Sequence, residues 1–503
     1  MSVLKKILCI GVTVGLSQAA WAFTLHGPVE GWQTEEIGYD IRGVDIGGPK
    51  NLGEEYRWTM PVLTYAFDRT FLNYFGQRGV EAVEAAIATL NALPRVSTLS
   101  SNLTEREFQG EKRGVNHQAA ALGLLDLKTH ALATLIEEMG LASPDRYTWT
   151  LRSRVVINNV PIYNVIRRNF DPVTLWPTPY VNGTLYTYQI VQTFASPDVW
   201  EAVEIQVDPA TLVLSSVAAF GSTLNGTVLN AQGSESFVRS LAFSAVGVYF
   251  SGLTRDDVGG LRYLLHPRNV NIETLPPNTT GGGFGGGGTG GGGTDGSWAD
   301  PFGSGAGFID APWGDPFGAG GGGFTNIFTN IFTNVFVTAP VDPALRPGVD
   351  KITFRRVDYD SFLGLSPGFT NSWIDTYLTN RTIFRQRVSH GGTTPDILFA
   401  AGDLGIDVDG DPFLLTRTIP WQDNSALNTS GTGGLGGPGT IVPTVTITFS
   451  WLGPTLQNIF ETGELDGFFI PFWGSFDGTT NEPVVFPDGV SIRDLEDLVL
   501  RRR

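Results

Sequence analysis

Five histidines and one group of aspartates are the side chains in this 503-residue sequence whose types could bind a metal ion. The histidines are His26, His117, His130, His266 and His390. No two of them are four residues apart, so the sequence lacks the two-histidine zinc site that a single helix can form. Helical spacing places His130 on one face with Thr134 and Glu137, and we predict a solvated histidine there. His117 opens an apolar segment, which favours a core or capping role over a ligand role.

The aspartates follow one another closely in the segment DLGIDVDGDP. Carboxylates around a glycine turn can surround Ca²⁺, which prefers about six to eight oxygen ligands. The EF-hand order is interrupted, however, and no glutamate follows at the last position of such a loop. The segment therefore predicts either a calcium site or an ordinary Asp-Gly turn. The four candidate calcium ligands are Asp403, Asp407, Asp409 and Asp411.

Other recognisable chemistry is missing from the sequence. The single cysteine, Cys9, lies in a segment that we predict to be removed, so the mature chain would be cysteine-free, with no thiol nucleophile or disulfide. No Gly-x-Ser-x-Gly and no phosphate-binding Walker pattern occurs, and no dinucleotide-binding glycine pattern follows a strand. A glycosidase carboxylate pair is defined by its separation in space, which a sequence does not give. We predict no catalytic residue and no cofactor beyond the calcium alternative.

The first 22 residues have the features of a secretory signal peptide. Lys5 and Lys6 precede an apolar stretch at 7–16, and the residues Ala20-Trp21-Ala22 form a small-x-small cleavage pattern. We therefore expect the mature chain to begin at Phe23 and to be exported, whether extracellular, on the cell surface or periplasmic. No later apolar run reaches about 18 residues, so no transmembrane segment is expected after signal removal.

The charge balance restricts the partners. The chain has 33 Lys and Arg against 50 Asp and Glu, a formal net charge of −17. A nucleic-acid partner requires a concentrated basic surface, and an anionic membrane attracts basic segments. The acidic balance argues against both.

A glycine-rich stretch suggests the domain boundaries. Glycine occupies 21 of the 43 positions from 281 to 323, and no Lys or Arg occurs between Arg268 and Arg346. Such a composition cannot bury enough apolar surface to offset its ordering entropy and is typical of a linker. We predict an α+β domain of mixed helices and antiparallel strands at 23–278, a Gly-rich linker at 279–339, and an all-β, sandwich-like domain at 340–503.

Periodicity predicts the elements within these parts. Helices are expected at 81–93, at 116–127 as a buried helix, at 129–139 with Gly140 at its end, and from Thr254 with a capping box to Asp257. Runs of Val, Ile, Thr and aromatic residues predict four strands between 147 and 207. Five further strand-like runs between 351 and 486, separated by turn residues, predict the sandwich, with a helix only at 491–500.

The repeat Thr-Asn-Ile-Phe occurs within the glycine-rich segment at 324–338. In an extended chain its four-residue period places Phe and Asn on one face and Thr and Ile on the other, and both faces suit a strand. A strand that is apolar on both sides requires a partner. Two alternatives are equally open, namely self-association through this strand and packing of the strand on the same molecule's sandwich.

Two segments resemble parts of matrixin-type metallopeptidases (metzincins). Residues 58–68 (WTMPVLTYAFD), with the helix at 80–93, are similar to the opening strand and first helix of those domains. Residues 253–265 (LTRDDVGGLRYLL) are similar to their closing helix. The family's zinc motif, His-Glu-x-x-His-x-x-Gly-x-x-His, does not occur, and residues 129–141 take a comparable place in the order with one histidine. The resemblance implies a metzincin-like fold in part of 23–278, and no catalytic residue is transferred.

Together these features favour a secreted or cell-surface, non-catalytic structural or interaction protein that self-associates or binds a surface partner. The first alternative is a degenerate or divergent matrixin-like metallopeptidase. The second is a carbohydrate-binding surface protein, because 12 Trp, 13 Tyr and 32 Phe could line a sugar-binding face.

Overall fold

The structure is a computed structural model of the chain. It describes residues 23–25, 56–108, 112–142, 148–167, 169–181, 184–193, 199–207, 223–229, 234–240, 246–281, 340–379, 382–403, 415–423, 439–451 and 472–501. The helices in these ranges are α1 (Arg69–Asn91), α2 (His117–Leu122), α3 (Leu127–Glu138), α4 (Arg255–Leu265) and α5 (Ile492–Arg501), with 3-10 turns at Val96–Thr98 and Arg106–Phe108. The strands before residue 282 are β1 (Phe23–Leu25), β2 (Val62–Phe67), β3 (Arg113–Val115), β4 (Leu124–Asp126), β5 (Leu141–Ala142), β6 (Trp149–Ile157), β7 (Val160–Arg167), β8 (Asn169–Phe170), β9 (Tyr180–Val181), β10 (Thr184–Thr193), β11 (Val199–Gln206), β12 (Thr223–Leu229), β13 (Ser234–Ser240), β14 (Val248–Phe250), β15 (Val270–Glu273) and β16 (Thr279–Gly281). The strands after residue 339 are β17 (Ala344–Pro347), β18 (Thr353–Arg356), β19 (Phe369–Thr379), β20 (Thr382–Gly392), β21 (Ile397–Gly402), β22 (Leu415–Asp423), β23 (Gly439–Ile441), β24 (Val445–Ser450), β25 (Phe472–Ser475) and β26 (Val484–Val485).

The largest sheet is mixed and has eight strands, in the order β12-β13-β22-β24-β21-β2-β18, with β23 paired to β22. The four strands from β18 to β24 run parallel, and the remaining pairs along this path are antiparallel. Strand β2, from the first part of the chain, lies between β18 and β21, which both come from the last part. Parallel strands of this kind are covered on their faces, and α1 packs against β21 and β18.

This arrangement differs from the predicted separate sandwich at 340–503. The mixture of helices and many antiparallel strands agrees with an α+β protein. However, β18, β21, β22 and β24 belong to the sheet that also contains β2, so the described strands on either side of the glycine-rich segment share one sheet. The physical reason is that β2 and β21 are buried, so the backbone amide and carbonyl groups on both of their edges need hydrogen-bond partners. Strands from the two parts of the chain supply these partners to each other.

A second sheet of five antiparallel strands also combines both parts, in the order β15-β17-β19-β20-β16. The first three residues of the predicted linker are not spacer, because Thr279–Gly281 form β16 and pair with β20. Residues 282–339, which contain the rest of that linker and the Thr-Asn-Ile-Phe repeat, lie outside the described residues.

The helices follow the sequence prediction with two corrections. Helix α1 begins well before residue 81, at the N-cap Asp68, whose carboxylate accepts a hydrogen bond from the Phe71 amide (2.9 Å). The predicted single helix at 116–127 is wrong: α2 stops at Gly123, which adopts a left-handed φ of 73°, and β4 follows. Helix α4 carries the predicted capping box at Thr254.

One hydrophobic core joins segments that are far apart in sequence. The rings of Phe67 and Phe399 stack with their centroids 5.3 Å apart, although they belong to β2 and β21. Phe71 on α1 approaches Phe75 to 4.7 Å, and Phe75 in turn lies 6.4 Å from Trp473 on β25. Burial of these aromatic rings accounts for much of the stabilisation that holds α1 on the sheet.

Two buried arginines hold the second sheet together, and one of them, Arg57, also connects it to α4. The Arg57 guanidinium donates to the Glu273 carboxylate (2.6 Å) and to the Leu264 carbonyl (2.8 Å) at the end of α4. Arg346 on β17 donates from Nε to both oxygens of Asp375 (3.1 and 3.2 Å) and from Nη1 to the Glu273 carbonyl. Each buried cation therefore has a carboxylate partner, as buried charges require.

The export prediction concerns residues that the structure does not describe, since 1–22 lie outside it. Strand β1, at the expected start of the mature chain, is buried between β5 and β8. Among the described helices, none combines the length and apolarity needed to span a membrane.

Candidate functional site

Helix α3 carries two of the titratable residues singled out in the sequence, His130 and Glu137. It begins at the N-cap Asp126, whose carboxylate accepts hydrogen bonds from the backbone amide (2.9 Å) and hydroxyl (2.6 Å) of Thr129. It ends before Gly140, whose φ of 106° only glycine adopts easily. Almost every residue of α3 is buried, because α1, β14 and β25 all pack against it.

The predicted solvated face of this helix does not exist. His130, Thr134 and Glu137 are all buried. The ring of His130 lies edge-on to Trp473 with centroids 5.1 Å apart, and its Nδ1 is 2.8 Å from the Asp126 carbonyl. The Thr134 hydroxyl donates to the His130 carbonyl (2.8 Å). Helical spacing identified a polar face correctly, but these groups find partners inside the protein instead of in water.

A cluster of two carboxyl groups and one guanidinium lies at the end of α3. Arg417 on β22 approaches Glu137 (Nη2 to Oε2, 3.1 Å) and Glu138 (Nε to Oε1, 3.4 Å), and all three side chains are buried. Burial raises the pKa of Glu138 well above its usual value, Arg417 opposes this shift, and Glu137 adds to it. With two carboxyl groups against one cation, the cluster favours keeping a proton on Glu138. Its burial places it out of reach of a dissolved substrate.

Asp126 is the third buried carboxyl group of this region. Burial raises the pKa of Asp126 to about 6, although its hydrogen bonds from Thr129 act in the opposite direction. The amide of Phe476 also faces this carboxylate (3.4 Å), so Asp126 connects α3 to the chain that follows β25.

A hydroxyl, a carboxylate and an imidazole meet between β2 and β21, but not in the order that nucleophilic catalysis requires. Asp396 lies in the middle: its Oδ2 accepts from the Thr64 amide (2.6 Å) and hydroxyl (2.7 Å), and its Oδ1 is 3.3 Å from His390 Nε2. The other ring nitrogen of His390 faces the Pro277 carbonyl (3.0 Å). In a serine-type triad the imidazole itself must contact the hydroxyl to take its proton. Here the carboxylate takes that place, and the group ties β2 to β21 and β20.

The remaining histidines lie at separate places in the fold. His117 is exposed at the first position of α2, where the Asn116 side chain provides the cap. His266 follows α4, and burial together with the nearby Arg268 lowers the pKa of His266 to about 4. His26 lies outside the described residues. In the described part of the chain, no three His, Cys, Asp or Glu side chains are close enough together to hold a metal ion.

Of the four candidate calcium ligands, the structure describes only Asp403. Asp403 is half-buried and directly follows β21. Asp407, Asp409 and Asp411 lie outside the described residues, so the alternatives of a calcium site and an ordinary turn both stay open predictions.

The hairpin formed by β6 and β7 exposes apolar side chains at its tip. The turn residues Asn158 and Asn159 have φ values of 52° and 62°, the left-handed pair that a tight two-residue hairpin turn requires. Around this turn four aliphatic side chains are at least half exposed: Val156 (53%), Ile157 (52%), Val160 (60%) and Ile162 (51%). Exposed apolar side chains grouped in this way mark interaction sites, whereas single ones do not.

The base of this hairpin is held in place by an aromatic residue. The indole Nε1 of Trp149 donates to the Tyr186 carbonyl on β10 (3.0 Å), and its ring lies 4.9 Å from that of Tyr188. The Arg167 guanidinium lies over the same indole at 5.6 Å. The hairpin is therefore attached at its base, and its tip extends away from that attachment.

No protein-family model matches the chain, and neither a curated protein nor a solved structure matches it. We therefore describe the protein by its architecture alone. It has an α+β fold with a mixed sheet, a buried helix α3 that carries titratable side chains, and an apolar tip on the hairpin β6–β7.

Sequence reasoning missed several of the residues described above. Asp126 had a local signal, because an aspartate three residues before a threonine at a helix start is a typical N-cap. Arg417 and Asp396 had none, since Arg417 meets Glu137, and Asp396 meets Thr64, across more than 250 residues. The exposure of the hairpin tip also had no local signal, because a run of Val and Ile equally describes a buried strand.

Proposed function

We propose that this chain is an exported, non-catalytic interaction protein that binds its partner through the tip of the hairpin β6–β7. The observation that supports this is the exposure of four aliphatic side chains around a turn that is already formed. A preformed turn reduces the ordering entropy that binding would cost. Export follows from the signal-peptide pattern at 1–22.

The experiment uses a variant that makes the tip polar, with serine at Val156, Ile157, Val160 and Ile162. Cells that express the full chain are separated into a soluble fraction and a fraction that contains membranes and surface material. We expect the mature wild-type protein in the second fraction and the variant largely in the first. Equal distribution of the two proteins would contradict the hairpin as the binding element, provided that both have the same thermal unfolding midpoint.

Self-association through the repeat at 324–338 is the second part of this proposal. Deleting the repeat should lower the molecular mass measured by light scattering if the repeat joins copies, and leave it unchanged if the repeat packs within one molecule. The metallopeptidase alternative has its own test: stoichiometric zinc in the purified mature protein, together with chelator-sensitive casein digestion, would contradict the non-catalytic assignment.

A further inference from the structure

We propose that the partner of the hairpin β6–β7 is the surface of an anionic lipid bilayer, into which the hairpin tip inserts at the depth of the headgroups. This inference depends on the proposed function for the role of the hairpin and names the kind of partner. Interfacial segments of this kind combine an apolar part, buried about 5–10 Å into the headgroup boundary, with basic residues behind it.

The first argument is that the tip is apolar on both faces. Successive residues of a strand point to opposite faces, so Val156 and Ile157 lie on different sides of the hairpin, and each is more than half exposed. Ile157 pairs with Val160, the most exposed of the four, which adds to one of these sides. A groove on a protein covers mainly one face of such a ribbon, whereas lipid surrounds both. The arrangement therefore fits a bilayer better than a protein groove.

The second argument is the local charge. Residues 146–170 contain five arginines and no aspartate or glutamate, within a chain whose net charge is −17. Arg154 lies three positions before Ile157, about 10 Å along the strand, which is the level of phosphate groups when the tip reaches the acyl boundary. Each basic residue near an anionic membrane surface contributes roughly 1 kcal/mol. Strand β11 contacts β6 and carries two acidic residues, Glu201 and Glu204, against the five arginines. Acidic residues more than about 8–10 Å away are largely screened by salt.

This local charge differs from the whole-chain charge on which the partner expectation was based. The basic residues occur at both ends of the hairpin sequence, with Arg152 and Arg154 on β6 and Arg167 on β7. Pairing of β6 with β7 brings these ends together, because Trp149 lies opposite Arg167 and Arg154 opposite Tyr163. The net charge of the whole chain therefore does not show that this hairpin is basic.

The backbone limits the depth of insertion. Within the hairpin, the ladder between β6 and β7 satisfies the inward-facing amide and carbonyl groups. The groups on the outer edges need water or headgroup partners, because unpaired backbone groups do not enter the hydrocarbon region. Only the residue pairs next to the turn, at 155–162, are therefore expected to insert.

The test is sedimentation of the mature protein with vesicles of phosphatidylcholine alone and of phosphatidylcholine mixed with phosphatidylglycerol. We expect at least tenfold tighter binding to the anionic vesicles at low salt, with a loss at high salt. The double variant I157S/V160S should weaken this binding at least tenfold, and R152Q/R154Q should remove the preference for anionic vesicles. The control is F362S/L363S, which alters another exposed apolar turn whose Phe362 is 92% exposed. It should bind like wild type.

The outcomes separate this inference from the proposed function. Suppose that wild type does not bind anionic vesicles, but the polar-tip variant moves from the membrane and surface fraction of cells to the soluble fraction. The lipid assignment is then wrong, and the hairpin binds a protein. If the tip variant behaves as wild type in both experiments, both proposals are wrong. Equal losses in F362S/L363S and I157S/V160S would show unspecific adhesion and overturn the lipid assignment. Unfolding midpoints of all variants exclude misfolding as the cause.

Discussion

Replacing Asp126 by asparagine should change how the stability of this protein depends on pH. Burial raises the pKa of Asp126 from 3.8 to about 6, and one pKa unit corresponds to about 1.36 kcal/mol. Below pH 3.8 this carboxyl group is protonated in both the folded and the unfolded chain. As the pH rises towards about 6, the unfolded chain releases this proton first. Asp126 therefore lowers the free energy of unfolding progressively over this range, by about 3 kcal/mol in total.

The D126N variant keeps an N-cap acceptor for the Thr129 amide but cannot ionise, so it should lack this loss. The measurement is urea unfolding of both proteins at several pH values from about 4 to 7, followed by tryptophan fluorescence. Between pH 4 and 7 we expect the difference in the free energy of unfolding to shift by about 2.4 kcal/mol in favour of D126N, because the unfolded chain is already partly ionised at pH 4. A constant difference, or a shift in favour of wild type, would refute the assignment.

A control with the opposite sign comes from α5. Hydrogen bonds from Ser491 lower the pKa of Asp494, so this carboxylate stabilises the folded chain at higher pH and the contribution is lost as the pH falls. The difference between D494N and wild type should therefore shift in favour of wild type as the pH rises. Both trends together would show that the pH effect belongs to the particular carboxyl group and not to the acidic chain as a whole.

Three further predictions concern packing and connectivity. R417M removes the cation beside two buried carboxyl groups and should lower the free energy of unfolding by about 3–5 kcal/mol. E138Q should stabilise the protein above about pH 5, because the pKa of Glu138 is raised and its ionisation opposes folding. Urea unfolding of each variant checks both expectations. G140A should cost roughly 2–5 kcal/mol, from the φ of 106° and from a Cβ that would clash with the backbone carbonyl oxygen of Tyr56. G252A, with nothing within 4 Å of the added Cβ, should stay within about 0.5 kcal/mol of wild type. The two parts of the chain on either side of 282–339, expressed separately, should each lack a cooperative thermal transition and regain one when co-expressed, and two independently cooperative parts would contradict the shared sheet.

Helix starts and helix extents depend on residues that are close together in the sequence, and several of them could be predicted. The capping box between Thr254 and Asp257 predicted the start of α4, and the i, i+3, i+4, i+7 spacing with Gly140 predicted α3 to within two residues at either end. The single helix at 116–127 failed because Gly123 lies inside an apolar run, where its left-handed conformation ends α2 early. A glycine in such a run marks either a helix end or a tolerated interior position, and the sequence alone does not distinguish them.

The parts that could not be predicted are those that depend on distant pairing. Nothing near Glu137 indicates that Arg417 will approach it, and without that knowledge a glutamate on a polar helix face is expected in water. In the same way, the apolar alternation of β24 predicts a strand but not its neighbours. Sequential strands usually pair with one another, which is why a self-contained sandwich was the natural expectation for 340–503.

The sheet topology also changes what the glycine-rich segment means for function. Strand β16 ends at Gly281 and β17 begins at Ala344, and both belong to the same five-stranded sheet. Residues 282–339 therefore connect two strands of one sheet and not two independent domains. The entropy of closing a flexible loop grows slowly, by about 0.6 kcal/mol for each doubling of its length, so a much shorter connection would support nearly the same stability. Closing this sheet thus places almost no demand on the Thr-Asn-Ile-Phe repeat, so its regular pattern needs another explanation, and self-association and packing within one molecule are the two open predictions.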